Sequence, residues 1–283
     1  MQTLALGTAN FGGNYGITNK TELSKEEIDE ILVWASDKIP ELDTSLDYTG
    51  SHRAISKHSE KFKITSKIDL NQITSVKEIQ DQVNSIKEEL SKDNIDRILL
   101  RPHSSNSKFT IECIQEMEKL STVGKINELG LSIYTTEELE YFAEYIRSQI
   151  VFQVPLNLFN RSFQKLLDEQ ELRFKHYKFY VRSIFLQGLL LLNPSDIPNQ
   201  FKEIRLPLNS LKLELAKIGS STIEATFAFI KERKWVDGLI VGIKSLGELK
   251  RNYELFTQNK TIDCSFIEKL PTIPSRIQDP RKW

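Results

Sequence analysis

The chain has 283 residues, 27% of them charged and 39% hydrophobic, with a formal net charge of −1. This composition suits a globular chain long enough to bury a full core. Near-neutrality, without blocks of like charge, argues against nucleic acid or an anionic membrane as partner. Cys113 and Cys264 are the only cysteines, far apart and without metal-ligand spacing, so neither a disulfide framework nor a bound metal is expected. No apolar run approaches the roughly 20 residues of a membrane-spanning helix. The N-terminus lacks the basic-then-apolar pattern of a signal peptide. A cytoplasmic protein is the expectation.

Thr3-Leu4-Ala5-Leu6 reads as a short buried strand ended by Gly7-Thr8. Gly12, Gly13 and Gly16 then form a turn-rich loop whose spacing is not that of the dinucleotide fingerprint. Ser24 and Glu27 make a capping box, and Ile28, Ile31, Leu32 and Ala35 fall on one helical face behind it. Ile39-Pro40-Glu41-Leu42 leads as a strand into Asp43-Thr44-Ser45-Leu46-Asp47-Tyr48. A short helix is predicted over 50–58 and a strand over 62–68. Ser75 and Glu78 repeat the capping box, and Val76, Ile79, Val83, Ile86 and Leu90 give the strongest amphipathic pattern in the chain.

The order repeats. Further strands are predicted over 97–100, 129–132, 150–154, 179–185 and 238–241. Between them, Ile111, Ile114, Met117 and Leu120 mark a helix closed near Gly124. A Thr135–Glu138 box opens another through Leu139, Phe142 and Ile146. Helical stretches follow over 163–172, 208–218 and 222–232, and one from Ser245, with Glu248, to Phe256. Pro194, Pro198 and Pro207 mark the long connection over 189–208. Eight strand-like runs, each followed by a helical one, imply a parallel sheet. In this length they favour a closed α/β barrel, (β/α)8, as one domain over 1–283.

In such a barrel the chemistry collects at the C-terminal ends of the strands. Asp43, Tyr48, Lys67, Arg101, His103, Ser132, Gln153, Arg182 and Lys244 all fall there. Each alone has a plain reading: a packed tyrosine, a solvated lysine, an aspartate capping a turn, a loop histidine beside Pro102. Together they suggest one assembled site with Tyr48 as a proton donor.

These residues are similar to the aldo-keto reductase family over nearly the whole chain. Leu6-Gly7-Thr8 looks like its opening strand, and Asp43-Thr44-Ser45…Tyr48…Gly50-Ser51 resembles its Asp-Thr-Ala…Tyr-Gly-x-Ser-Glu segment. Thr65-Ser66-Lys67 resembles the strand carrying the family's lysine. Gly124-Lys125-Ile126…Gly130-Leu131-Ser132, Gln153-Val154…Asn157 and Val241-Gly242-Ile243-Lys244-Ser245…Leu249…Asn252 are similar to three further segments. Val181-Arg182-Ser183-Ile184-Phe185-Leu186-Gln187-Gly188-Leu189-Leu190 resembles a bacterial branch described as spore-coat polysaccharide or surface-glycan reductases. Three departures stand out. The chain starts almost at strand one, without the family's plugging hairpin. Arg101 holds the register of the family's histidine, with His103 two residues on and, by strand alternation, on the same face. Thr49 separates Tyr48 from the glycine that usually follows it.

The resemblance implies carbonyl reduction by a nicotinamide cofactor: NADPH, with NADH as the alternative. It implies that Tyr48 gives a proton to the carbonyl oxygen, that Lys67 lowers the tyrosine pKa, and that Asp43 orients Lys67. His103, or Arg101 in its stead, would steady the oxyanion. Arg182 would cover the nicotinamide or bind substrate. Gly7, Thr8, Ser132, Gln153, Ser183, Gly242, Lys244, Ser245 and Asn252 would hold the cofactor, with Lys244 suited to a 2′-phosphate and Glu248 opposing it unless it caps the helix. A sugar or sugar-nucleotide carbonyl is the implied small-molecule substrate. The alternatives are a catalytically impaired cofactor-binding regulatory protein on the same barrel, motivated by the displaced histidine, and a barrel enzyme without nicotinamide. Oligomeric state is open.

Overall fold

The computed structural model describes residues 2–13, 16–17, 22–146, 148–258 and 260–283. Eight parallel strands pair in chain order and close: β1 (Thr3–Gly7), β2 (Glu41–Asp43), β3 (Lys63–Asp69), β4 (Ile95–Arg101), β5 (Ile126–Ser132), β6 (Val151–Pro155), β7 (Lys178–Arg182) and β8 (Gly238–Gly242), with β8 returning to β1. The helices packed outside are α1 (Lys25–Ser36), α2 (Ser51–Ile55), α3 (Glu78–Leu90), α4 (Ser107–Thr122), α5 (Thr136–Tyr145) and α6 (Ser162–Glu169). They continue with α7 (Glu171–Phe174), α8 (Arg205–Lys217), α9 (Thr222–Lys231), α10 (Leu246–Thr257) and α11 (Ser275–Gln278). The architecture is the expected (β/α)8 barrel.

Local chemistry sets most helix starts. Ser24 and Glu27, Thr135 and Glu138, and Ser221 and Glu224 form reciprocal capping boxes that satisfy first-turn N–H groups. The Ser75–Glu78 pair behaves differently. The Glu78 carboxylate accepts from the backbone N–H groups of Thr74 and Ser75 and from both hydroxyls, so α3 starts at Glu78 and Val76 lies just ahead of it. Helix α4 begins at Ser107, earlier than its apolar pattern suggests, because Asn106 Oδ1 accepts from Phe109 N at 3.0 Å. Strand β7 ends at Arg182 rather than 185, since Ser183 turns the chain with φ +56°. The connection over 189–208 contains short 3-10 turns before α8.

Strand alternation divides the core in two. Outward residues such as Leu6, Leu42, Ile64, Ile98 and Leu131 pack against the helices in one large cluster. Burying an aliphatic side chain there contributes about 1.5–3 kcal/mol. Inward residues form layers. Ala5, Leu99, Val151, Tyr180 and Ile240 make a separate apolar middle layer. Gly238 leaves room for the Tyr180 ring: a Cβ built there would lie 2.4 Å from Tyr180 Cε1.

Below that layer the floor is ionic. The buried Arg97 guanidinium donates to Glu41 at 3.0 Å, to Glu128 at 2.6 Å, to Thr65 Oγ1 at 3.1 Å and to the Tyr180 hydroxyl at 3.2 Å. Tyr180 donates on to Glu41 at 2.9 Å, and Lys63 and Lys178 close on Glu128 at 2.9 and 2.6 Å. Above the middle layer, registers Gly7↔Asp43, Asp69↔Arg101, Ser132↔Gln153, Pro155↔Arg182 and Gly7↔Gly242 bring the strand ends to one rim. Among the described residues no helix is long and apolar enough to cross a membrane.

Candidate active site

The site is built on β2 and β3. Asp43, at the end of β2, and Lys67, within β3, both point inward and are 6% and 2% exposed. Lys67 Nζ donates to Asp43 Oδ1 at 2.6 Å and to the Thr44 carbonyl at 2.8 Å. The other carboxylate oxygen, Oδ2, accepts from Gln153 Nε2 at 2.7 Å, and Gln153 Oε1 accepts from Ser132 Oγ at 3.4 Å. Four strands are thus tied by one buried polar chain. The Gln153 amide, for which the sequence allows a ligand partner, donates to Asp43 and accepts from Ser132.

Tyr48 stands above this chain. Lys67 Nζ is 5.5 Å from its ring centroid, and the Arg101 guanidinium is 5.9 Å away on the β4 side. The residue is half-buried as a whole, while its phenol end lies in dense surroundings. Burial and the Asp43 charge push the phenol up to about 12, against the opposing pull of Arg101 and Arg182. The expected lowering by Lys67 does not prevail, because Lys67 is itself buried and its charge is matched by Asp43. Burial, with Arg101 and Arg182 nearby, lowers the Lys67 pKa against the raising effect of Asp43.

The loop that carries Tyr48 is held from behind. Ser51 Oγ lies 2.7 Å from Thr8 Oγ1 and 3.1 Å from Thr44 Oγ1. Thr8 also donates to the Asp43 carbonyl from N at 2.9 Å and from Oγ1 at 3.2 Å, so Thr8 serves the scaffold. Gly12 packs against the same loop: a Cβ there would meet Thr49 O at 1.5 Å, which only glycine avoids. His52 bridges Ser66 Oγ at 2.9 Å and Glu89 Oε2 at 3.0 Å, pinning α2 to β3 one residue from Lys67. The sequence offers no sign of that bridge beyond a helical histidine.

Arg101 and His103 part ways. Arg101 is paired with Asp47 and reaches Ser45 Oγ at 3.3 Å. His103 lies beyond the end of β4 and turns outward. Its N–H donates to Thr110 Oγ1 at 3.0 Å, its Nδ1 accepts from Ser105 N at 3.2 Å, and its ring meets Phe109 edge-on at 5.9 Å. Strand alternation ceases to apply after Pro102, so the two side chains do not share a face.

A cavity of about 310 Å³ opens beside Tyr48. Gly7, Asp43, Arg182, Ser183, Gly242 and Lys244 are on its wall, together with the apolar Ile184, Phe185, Leu191, Leu192 and Ile240. A recess of about 370 Å³ continues from the shared residues Phe185, Leu191, Gly242 and Glu248 to Arg251 and Asn252 on α10. Ser183, Leu186 and Gln187 all have positive φ, a costly backbone for non-glycine residues and one that clusters at functional sites. Asn157 Nδ2 holds that turn by donating to the Ser183 carbonyl at 3.2 Å. At the head of α10, Ser245 Oγ caps Glu248 N, and the Glu248 carboxylate accepts from Lys244 N at 2.8 Å. A carboxylate thus occupies the N-terminal region where a phosphate was expected. The groove runs from Tyr48 past Lys244 and Glu248 to Arg251, so its far end carries both signs of charge. Ser132 and Gln153 are buried and Ser245 is exposed, and none of the three lines the cavity. A larger open recess, about 500 Å³, lies at the opposite end beside Glu118, Asn127, Glu128 and Lys178, away from the Tyr48–Lys67–Asp43 assembly.

The Aldo/keto reductase family model matches residues 3–270. No curated protein matches the chain. Among solved structures, the chain resembles a thermostable aldo-keto reductase solved with the inhibitor epalrestat, at 17% identity and TM-score 0.74, covering 96% of each chain. It also resembles a glycerol dehydrogenase from Gluconobacter oxydans, at 20% identity and TM-score 0.71, covering 94% of this chain and 90% of that one. An aldo/keto reductase from Brucella melitensis is similar at 16% identity and TM-score 0.68, over 95% and 94%. At these identities the structural likenesses show the shared barrel. With nearly the whole chain covered by the family model, the protein belongs to the Aldo/keto reductase family of carbonyl-directed oxidoreductases, which generally use NAD(P)H.

Proposed function

We propose that this chain is an NAD(P)H-dependent carbonyl reductase in which Tyr48 donates the proton. The observation that carries the reading is the buried Lys67–Asp43 pair directly beneath Tyr48 at the C-terminal rim of the barrel. A nicotinamide held in the groove would supply hydride chemistry at the carbonyl carbon. The carbonyl π pair moves to oxygen, and Tyr48 gives that oxygen its proton. A phenol held near pKa 12 is fully protonated at neutral pH, so the proton is in place before reaction. The Lys67, Arg101 and Arg182 charges then favour the transient phenolate.

Arg101, rather than His103, is the proposed fourth member of the site. Its guanidinium flanks Tyr48, whereas the His103 imidazole is spent on the loop before α4. A guanidinium donates hydrogen bonds to an oxyanion but relays no proton. For the cofactor, Gly7, Ser183, Gly242 and Lys244 lie on the groove wall, and Asn252 lies at its far end. NADPH is the proposed reductant, supported by Lys244 and Arg251; Glu248 at the head of α10 opposes a further phosphate. The resemblance over 181–190 supports a sugar or sugar-nucleotide carbonyl in surface-glycan synthesis as the substrate.

Two measurements test this reading. Fluorescence titration should give tighter binding of NADPH than of NADH. Tyr48→Phe should cut carbonyl reduction by about 10²-fold or more, the scale of a positioned acid, with NADPH affinity kept. Undiminished turnover in that variant removes Tyr48 from the mechanism. Tight NADPH binding without turnover over a broad carbonyl panel points instead to the regulatory alternative.

A further inference from the structure

We propose that the substrate carries a carboxylate group, which Arg182 receives at the mouth of the barrel. The inference rests on the carbonyl-reductase reading and names a substrate class for the same site.

Three cations surround Tyr48, and two are matched by carboxylates: Lys67 by Asp43 and Arg101 by Asp47. Arg182 forms no ion pair with any described residue. Its partners are neutral: NH2 donates to the Ile133 carbonyl at 3.0 Å, and NH1 reaches Ser183 Oγ at 3.4 Å. A guanidinium has five N–H donors in a fixed plane, so donors remain for a ligand. Arg182 is on the wall of the Tyr48 cavity, and its charge is felt at the phenol. Desolvating a half-buried cation costs free energy that a neutral ligand does not return, so among sugar carbonyls an acidic one suits this wall better than a neutral one. The neighbouring wall, with Ile184, Phe185, Leu191 and Leu192, is apolar and offers a carboxylate nothing. Lys244, at the other end, stands beside Glu248.

The guanidinium is also held still. Its centre lies 4.0 Å from the Tyr134 ring centroid, and that of Arg281 lies 3.6 Å from the same centroid. Both guanidinium groups thus lie against the one ring. Arg281 is neutralised by Asp279, at 3.0 Å from Nε and 2.8 Å from NH2. The C-terminal segment therefore braces Tyr134, and Tyr134 braces Arg182. A planar fork stacked on an aromatic face and hydrogen-bonded to a backbone carbonyl is preorganised for bidentate carboxylate binding.

The test compares 4-oxobutanoate with its neutral isostere 4-oxobutanamide, with NADPH as reductant. Wild-type protein should prefer the anion by about tenfold or more in kcat/KM, mostly through KM, on the scale of one charge-assisted pair. Arg182→Gln should bring the two substrates within threefold of one another with NADPH affinity unchanged, and Arg182→Lys should recover part of the preference. Equal wild-type rates, or a preference that survives in Arg182→Gln, overturns the proposal. So does loss of NADPH binding in that variant, which would place Arg182 on the cofactor. If neither aldehyde is reduced, calorimetry with succinate and succinamide separates the two ideas. Succinate binding that vanishes in Arg182→Gln keeps the carboxylate subsite while the reductase reading fails; no succinate binding sinks the subsite as well.

Discussion

Replacing Arg101 by methionine, beside His103→Ala as its partner experiment, tests which side chain faces the chemistry. The Arg101 side chain is 23% exposed and its Asp47 partner 21%, so water screens part of their attraction. Once Arg101 is truncated, Asp47 keeps Gln72 Nε2 at 3.0 Å and Ser45 Oγ at 3.2 Å. The stability cost should therefore be only about 1–2 kcal/mol, or roughly 2–3 °C in Tm for a chain of this size. Turnover should suffer far more. Removing one preorganised donor to a developing oxyanion costs about 10²–10³ in kcat. His103→Ala should leave kcat within about threefold, since the ring serves only the loop and Phe109. The pH profile adds a second reading. Burial alone would depress the Arg101 guanidinium, but Tyr48 and Asp47 hold it above its ordinary value, so it stays charged. No ionisation near about 6.5, where an imidazole titrates, should then appear in kcat/KM. Steady-state NADPH oxidation across that range measures both. A hundredfold loss in His103→Ala with little change in Arg101→Met would refute the assignment, as would an acid limb near the imidazole value.

Two stability predictions concern the barrel below the site. Gly238→Ala puts a methyl 2.4 Å from Tyr180 Cε1, and the Tyr180 hydroxyl is anchored to Glu41 and Arg97, which limits how far the ring can swing. Overpacking of this kind costs about 1–3 kcal/mol, so Tm should fall by roughly 2–5 °C with turnover of the folded protein retained; an unchanged Tm would mean the ring relocates freely. The second follows from Glu128. Burial would raise its carboxyl, but hydrogen bonds from Lys178, Lys63 and Arg97 and the Arg97 charge bring it down to about 2 from an ordinary 4.5. A depressed carboxylate stabilises the fold above its unfolded value and loses that contribution as pH falls through the folded one. Up to about 3 kcal/mol should thus disappear between about pH 4.5 and 2. In Glu128→Gln the acid dependence of denaturant midpoints should be shallower over that window, and an identical slope would contradict the network.

The capping residues Ser24 and Glu27, Thr135 and Glu138, and the period-two strands between them are local signals, and the chain states them directly. Lys67 and Asp43 follow almost as directly, because each occupies a strand position whose direction alternation dictates. Alternation failed at His103 for a definite reason: β4 ends at Arg101, and Pro102 redirects the backbone toward α4. The left-handed turn at Ser183 was equally hidden, since its support comes from Asn157, 26 residues earlier. Strand order, the barrel and the Asp43–Tyr48–Lys67 set are thus determined by the sequence, because periodicity and spacing are properties of neighbours along the chain. The raised pKa of Tyr48, the placement of Arg101 beside it with His103 turned to its own loop, and an Arg182 that forms no ion pair with any described residue emerge only in the tertiary structure. Each depends on desolvation and on charges that separate strands bring together, and no local pattern records either.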